Sequence, residues 1–511
     1  VATANLKLHA FGSAADPLVG LSHLGQPRYL RHYLADLGAK TVLEETAYFD
    51  RDYLSEFAAF YGVSSRGYPN RCRRCHFFAC AVDRRHIRSA AGGSASAIRR
   101  LQENYLGFVV IRPIPSAPLG RTVLRWYPES QPQTPRVTDP SRHYECHVAG
   151  FTLEVTGLAW QQQDTAVGAC ATVALWSMLH SSAFDDHHAI PTTASITRYA
   201  HRTASLGSRL FPSGGLTIYQ LLEAIKEAGL APVVLQGDLA VNGDRGFSKE
   251  RFTSACAALI RSGYPALVLG ELENVGRHAV CAVGFRESGA VQPPGGQVLL
   301  QDAGVQNLYV HDDNLGPSVK FEIIQDPVGN YVRLKTAPPP PRHNLAGLPA
   351  DPTSGYPNFI PAQLVAAVHE DLRMSPDRLH DQAIQTASAI CAAYNGLVQG
   401  QQLGLTVSTR FIKLHEYLGP ELGRMLGGSP KILSKVRLTL AEKVDPMSLH
   451  LGVSRIGWGA TPLVDVLHDT TDSDTNLYAF CHLQFDPNIG QLTDALSRAG
   501  HISAGVAVPA Y

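Results

Sequence analysis

Apolar positions change their period along this chain, and the changes mark out its elements. LGFVVIRPIP reads as a strand ended by prolines, and RTVLRWYP as a second strand. VLEETAYFDRDYLSEFAAFYG reads as a helix, with Tyr48, Tyr53, Phe57 and Phe60 near one face. The Pro-, Ser- and Gln-rich stretch PESQPQTPRVTDPS, residues 128–141, is a linker or exposed loop. Residues 1–140 therefore form a first, mixed α/β block.

A second block spans residues 142–335. HVAGFTLEVTGL alternates as a strand, and an apolar helix follows it in QQQDTAVGACATVALWSML. GGLTIYQLLEAIKEAGL is a capped amphipathic helix between Gly214, Gly215 and Gly229. APVVLQ is a short strand, and SKERFTSACAALIRSGYPALVLGEL is a helix, a turn and a buried strand. RHAVCAVGF, QVLLQDAG and LYVHDDN are predicted as consecutive strands, which VKFEII and YVRLK extend. A helix-rich half followed by an antiparallel sheet is an α+β plan. TAPPPPRHN, residues 336–344, is a stiff spacer. The third block, 345–511, opens with predicted helices in FIPAQLVAAVHEDL and RLHDQAIQTASAICAAYNGLV. It ends with predicted strands in KVRLTLAEK, SLHLGVSRIG, PLVDVLHD and LYAFCHLQF.

Length agrees with this division, since 511 residues exceed one ordinary core. Hydrophobic residues make up 45% and charged residues 17%, as in folded globular chains. Formal net charge is zero, so the bulk balance points to no nucleic acid and no anionic membrane surface. No apolar run reaches a membrane-spanning length, and no signal peptide is read at the start. The nine cysteines are scattered and odd in number, which argues for free thiols and a cytoplasmic location.

One thiol stands out in this frame. Cys170 follows a run of small residues and precedes Ala171, Val173, Ala174 and Leu175, so it opens a buried helix. Unpaired N–H groups and the helix dipole favour a thiolate at such a position. His278 opens the core strand RHAVCAVGF, a rigid place from which an imidazole can meet a thiol. A third group must orient the ring. Asp312, ending LYVHD, is the first choice and Asp302, ending QVLLQD, its competitor, with Asp313 and Asn314 behind them. Glutamines upstream of Cys170 offer an amide to a developing oxyanion.

In that order, Gln163, Cys170, GGLTIYQLLEA, GYPALVL, RHAVCAVGF and LYVHDD resemble the papain-like cysteine peptidase clan. The resemblance is closest to the bacterial double-glycine leader peptidases and their C39-like relatives, and it covers residues 161–320. It implies a papain-like core and a cysteine peptidase in which Cys170 attacks, His278 is base and acid, Asp312 orients it and Gln163 stabilises the oxyanion. The family's glutamine stands six residues before its cysteine; Gln163 stands seven before Cys170, and Asp164 holds the sixth place. Ala171 and Thr172 replace the usual Gly-Pro or Gly-Ala. The same triad serves a deamidase, amidase or transferase, and a papain-like scaffold can also be a non-enzymatic binding module. A protein or peptide substrate is expected and no cofactor, with the flanking blocks selecting substrate or binding a regulatory protein.

Other candidates are weaker in pattern. Cys72, Cys75, His76 and Cys80 have zinc-ligand chemistry, but no second ligand pair follows, and Phe77 and Phe78 suggest a core segment. Asp469, Asp472, Asp474 and Asn476 have oxygen spacing like a calcium loop, but Leu477 stands where glycine is needed. His187 and His188, after Asp185 and Asp186, read as a polar loop. Nucleotide-binding loops, HExxH and G-x-S-x-G are not found.

Overall fold

The computed structural model describes residues 5–129, 131–164, 169–184, 189–202, 215–241, 244–287, 289, 292–337, 348–398, 400, 402–472 and 478–511. Among them, helices and sheets mix in an α+β arrangement.

Five antiparallel strands in chain order form the first sheet: β1 (Leu6–Ala10), β2 (Thr41–Tyr48), β3 (Cys72–Phe78), β4 (Tyr105–Ile111) and β5 (Leu119–Leu124). All seven residues of β4, YLGFVVI, are buried, as the apolar run predicts. The expected helix in VLEETAYFDRDYLSEFAAFYG is half wrong. Its first part is β2, paired on both sides, and the helix begins only at Arg51, where the Asp50 carboxylate caps Asp52 and Tyr53 N–H. Between β1 and β2 lies α1 (Gly25–Asp36).

The chain then leaves the first sheet through residues that still pair with it. Trp160 and Thr122 exchange both backbone hydrogen bonds, and Gln162 N–H donates to the Leu119 carbonyl. This anchors the segment ahead of α2 (Cys170–Met178). Every residue of α2 after Cys170 is buried, because its apolar side chains cover the whole helix surface.

Opposite α2 stands a closed six-stranded antiparallel barrel. Its strands are β6 (Ala266–Leu272), β7 (Gly276–Arg286), β8 (Asn307–Asp312), β9 (Gly316–Gln325), β10 (Val332–Thr336) and β11 (Phe359–Val368), with β11 pairing back onto β6. Gly270 permits this closure, since a Cβ there would collide with the Ile360 carbonyl oxygen. FIPAQLVAAV is thus a barrel strand rather than the expected helix. Pro361 interrupts any helical hydrogen-bond ladder, and the pairing partners on both sides outweigh the local pattern. QVLLQDAG also departs from expectation: only Val298–Leu300 is a strand, and it joins another sheet.

That last sheet comprises Val298–Leu300 and β12 (Leu405–Lys413), β13 (His450–Trp458), β14 (Thr461–Asp469), β15 (Ala479–Gln484) and β16 (Val506–Pro509). KVRLTLAEK, expected as a strand, lies in a helix, Pro430–Lys443. Pro430 starts it, and the buried Val436 and Leu440 are four residues apart, one helical turn. The expected helix after Ser375 is present as α3 (Pro376–Leu397). One apolar core runs through the first sheet, α2 and the barrel as far as Phe411, so the first two blocks share it with β11 and its neighbours from the third. The prolines at 338–341 lie outside the described residues. No helix of the described residues is long and apolar enough to cross a membrane.

Several histidines are buried uncharged within this fold. Burial pushes His180 and His468 down to about 3, and His311 and His450 down to about 4. A folded-state value below the unfolded one gives stability that is present above about pH 6.5 and lost as pH falls. Glu56 and Asp313, which burial pushes up to about 7, act in the opposite sense. Each such histidine contributes a loss of roughly 1.4 kcal/mol per pH unit below 6.5. His468→Asn is therefore expected to flatten the pH dependence of urea unfolding by about that slope between pH 6.5 and 4.

Candidate active site

Cys170 is the first residue of α2, half-buried at its N-terminal end. Ala169 is extended, and its carbonyl accepts the Val173 N–H at 3.0 Å. No side chain caps this end and no acidic residue stands in the first turn, so the helix dipole acts at the thiol without a competing carboxylate there.

His278 faces it from β7, directly across from Gly270 where the barrel closes. Its Nε2 lies 3.1 Å from Asp312 Oδ1, and the Cys170 thiol is among the groups that favour the charged ring. Asp312 occupies Nε2, which leaves Nδ1 for the sulfur. Phe359 meets the ring edge-on, with centroids 6.0 Å apart. Burial opposes charge on the ring. The Asp312 carboxylate and its hydrogen bond, the Cys170 thiol and the Asp313 carboxylate override burial and hold His278 well above the usual histidine value.

Asp312 is itself held from several sides. Its Oδ1 accepts the Asn314 N–H at 2.9 Å, its Oδ2 accepts the Tyr356 hydroxyl at 2.9 Å, and its carbonyl accepts the Trp160 indole N–H at 3.0 Å. Asp302 does something else: both its oxygens accept from Arg261, at 2.7 and 2.6 Å, at the end of the helix Lys249–Arg261. Of Asp312 and its competitor Asp302, Asp312 is the one that reaches the imidazole, with Asp313 beside it at 3.6 Å.

The glutamines separate in the same way. Gln163 donates from Nε2 to Asn314 Oδ1 at 2.7 Å, which brings it to the turn that carries Asp312. Gln162 turns into the first sheet, accepting the Leu119 N–H and donating to the Ser116 carbonyl. Asp164, six residues before Cys170, lies 3.6 Å from the Arg112 guanidinium and is part of a buried ion cluster. Residues 165–168, between Gln163 and Cys170, lie outside the described residues.

Tyr356, Asn314 and Trp160 complete the surroundings of the pair. Tyr356 carries no sequence signal, since it reaches Asp312 from 44 residues away. Asn314 stands in the sequence among the later choices for the group that orients His278, and nothing there singles out Trp160.

Among the described residues, the cysteine–histidine cluster of β3 does not assemble. In β3, His76 bonds to Tyr105 and Glu45, and strand parity puts Cys72 and Cys75 on opposite faces. Asp469 caps its own turn through Thr471, while residues 473–477 lie outside the described residues, as do Asp185, Asp186, His187 and His188. Among the described residues, two groups bring three donor atoms within 4.8 Å: the exposed His143, Glu145 and Glu154, and the buried His278, Asp312 and Asp313. In the buried group both Asp312 oxygens already accept protein hydrogen bonds, an arrangement suited to holding a proton on His278.

No protein-family model matches the chain, and no curated protein or solved structure is significantly similar to it.

Proposed function

We propose that the protein is a thiol-dependent acyl-transfer enzyme, read most simply as a papain-like cysteine peptidase. The observation that carries this is the continuous chain from Cys170 at a helix N-terminus through His278 to Asp312. The finer fold reading, a papain-like core, is supported by a buried helix bearing the cysteine packed against a closed antiparallel barrel bearing the histidine.

In this reading the Cys170 thiolate attacks a peptide carbonyl carbon, and the amide nitrogen leaves with a proton from His278. A water molecule then gives its proton to His278 and cleaves the thioester, returning the free thiol. Asp312 keeps the Nε2–H of the ring directed at itself, so that Nδ1 serves the sulfur. The first-turn N–H groups of α2 and the second N–H of the Gln163 amide are the candidate oxyanion donors. No cofactor takes part. The substrate class is a protein or peptide, with Ala169 and Ala171 leaving room for an extended chain beside the thiol. The flanking sheets are surfaces for substrate selection or a regulatory protein, and a cytoplasmic setting suits the free thiols.

The same atoms suit a deamidase or transferase, in which the acceptor or leaving group differs. A biotinylated epoxide or vinyl-sulfone probe tests the shared chemistry. Rapid labelling at Cys170, lost in Cys170→Ala and reduced at least about tenfold in His278→Ala, is expected. Slow labelling indifferent to His278 would sink the proposal and leave a binding module. Mass spectrometry of products then separates cleavage, which makes a new terminus, from deamidation.

A further inference from the structure

We propose that Asp313 is a second carboxylate partner of His278, a positioning residue whose charge steadies the imidazolium and extends the pH range of the Cys170–His278 pair upward. The proposal rests on the acyl-transfer reading and deepens it.

The geometry is specific. Asp313 Oδ1 lies 3.6 Å from the same Nε2 that bonds to Asp312, so one ring nitrogen faces two carboxylates. Asp313 is only 3% exposed; its own and the Asn314 backbone N–H groups favour its charge, and no side chain donates to either oxygen. Removing a carboxylate from water with no side-chain donor is costly, and an asparagine or leucine would fill the same space without a charge. The cation facing Asp313 is His278.

The fold holds the side chain inward. Gln26 from α1 donates to the Asp313 carbonyl at 3.2 Å, and the Tyr29 hydroxyl donates to the Pro317 carbonyl at 3.0 Å. Gly316 makes this docking possible, because a Cβ there would strike the Tyr29 ring. An element from the first block thus closes over the turn and keeps Asp313 from solvent.

The titratable groups around the ring are Cys170 from α2, Asp312 at the end of β8 and Asp313 beside it. Tyr356 reaches Asp312 from the segment before β11. Burial pushes Asp313 up to about 7, with His278 pulling it down and Asp312 pushing it up. Its negative charge therefore appears as pH rises through neutrality, on the side where His278 would otherwise lose its proton.

The test uses the full chain with its histidines labelled at 13Cε1, the His278 signal being assigned by its absence in His278→Gln. In Asp313→Asn and in Asp313→Leu the ring is expected to lose its proton at least about one pH unit lower than in the wild type. The upper pH limit of Cys170 alkylation by iodoacetamide is expected to fall with it. Both variants are expected to match or exceed the wild-type thermal midpoint at pH 8, since a buried carboxylate with no side-chain donor is gone. An unchanged His278 titration in either folded variant would overturn the proposal. The two readings fail separately. Alkylation indifferent to His278→Ala removes the acyl-transfer reading while the ring titration still decides the role of Asp313.

Discussion

Asp312→Ala is expected to cut turnover of a model peptide or thioester-forming substrate by roughly 10³–10⁴-fold, the scale found when the orienting member of a triad is lost. The alanine leaves His278 Nε2 without its 3.1 Å partner, and the ring can then rotate or take the wrong tautomer. It also strands the Tyr356 hydroxyl and the Asn314 N–H, both now paired with the carboxylate. Asp312→Asn is expected to keep an intermediate rate, because an amide oxygen still accepts from Nε2–H, as in papain-like sites with asparagine in this place. Steady-state kinetics of the two variants, with circular dichroism to confirm folding, checks the ordering. Equal rates for wild type and Asp312→Ala would remove Asp312 from the mechanism.

Arg112→Met is expected to cost roughly 3–5 kcal/mol of stability, because it breaks a buried charge cluster from one side only. Arg112 is buried; its guanidinium donates to Glu56 Oε2 at 3.1 Å and to the carbonyls of Ala117 and Gln162, both at 3.0 Å. Asp164 lies 3.6 Å away, and Glu56 also accepts the Thr193 hydroxyl at 2.6 Å. One side chain just past the end of β4 thus holds the segment that precedes Cys170. Burial pushes Glu56 up to about 7, with Arg112 pulling it down. Without Arg112, Glu56 is protonated more readily, so the loss is expected to be larger at pH 8 than at pH 5. Urea unfolding at the two pH values reads this difference, and adding Glu56→Gln should recover part of the loss at pH 8.

Much of the middle of the chain was legible because its signals are local. The small residues before Cys170, the glycines flanking the helix Ile218–Glu227 and the alternation through RHAVCAVGF each report one element. The misread elements share a cause. VLEETAY and FIPAQLVAAV have apolar residues that suit either period, and strand pairing on both sides decides for the sheet. In KVRLTLAEK the alternation is real, but only Val436 and Leu440 find a core, so a helix satisfies them.

The residue types at the site, and the helix and strand that carry them, follow from local pattern. A thiol at the head of an apolar helix and an imidazole at the head of a core strand need nothing beyond their neighbours in the chain. Which acid meets the imidazole is a matter of distance in space. Asp302 and Asp312 both follow short apolar runs, yet Arg261 holds one and His278 the other. The same holds for Gln163, drawn to Asn314, for Tyr356, brought in from beyond the proline-rich stretch, and for Asp313, turned inward beneath α1. Hydrogen bonds and charge pairing act over a few ångströms, and only the closed barrel with the first sheet packed beside it brings those groups within that range.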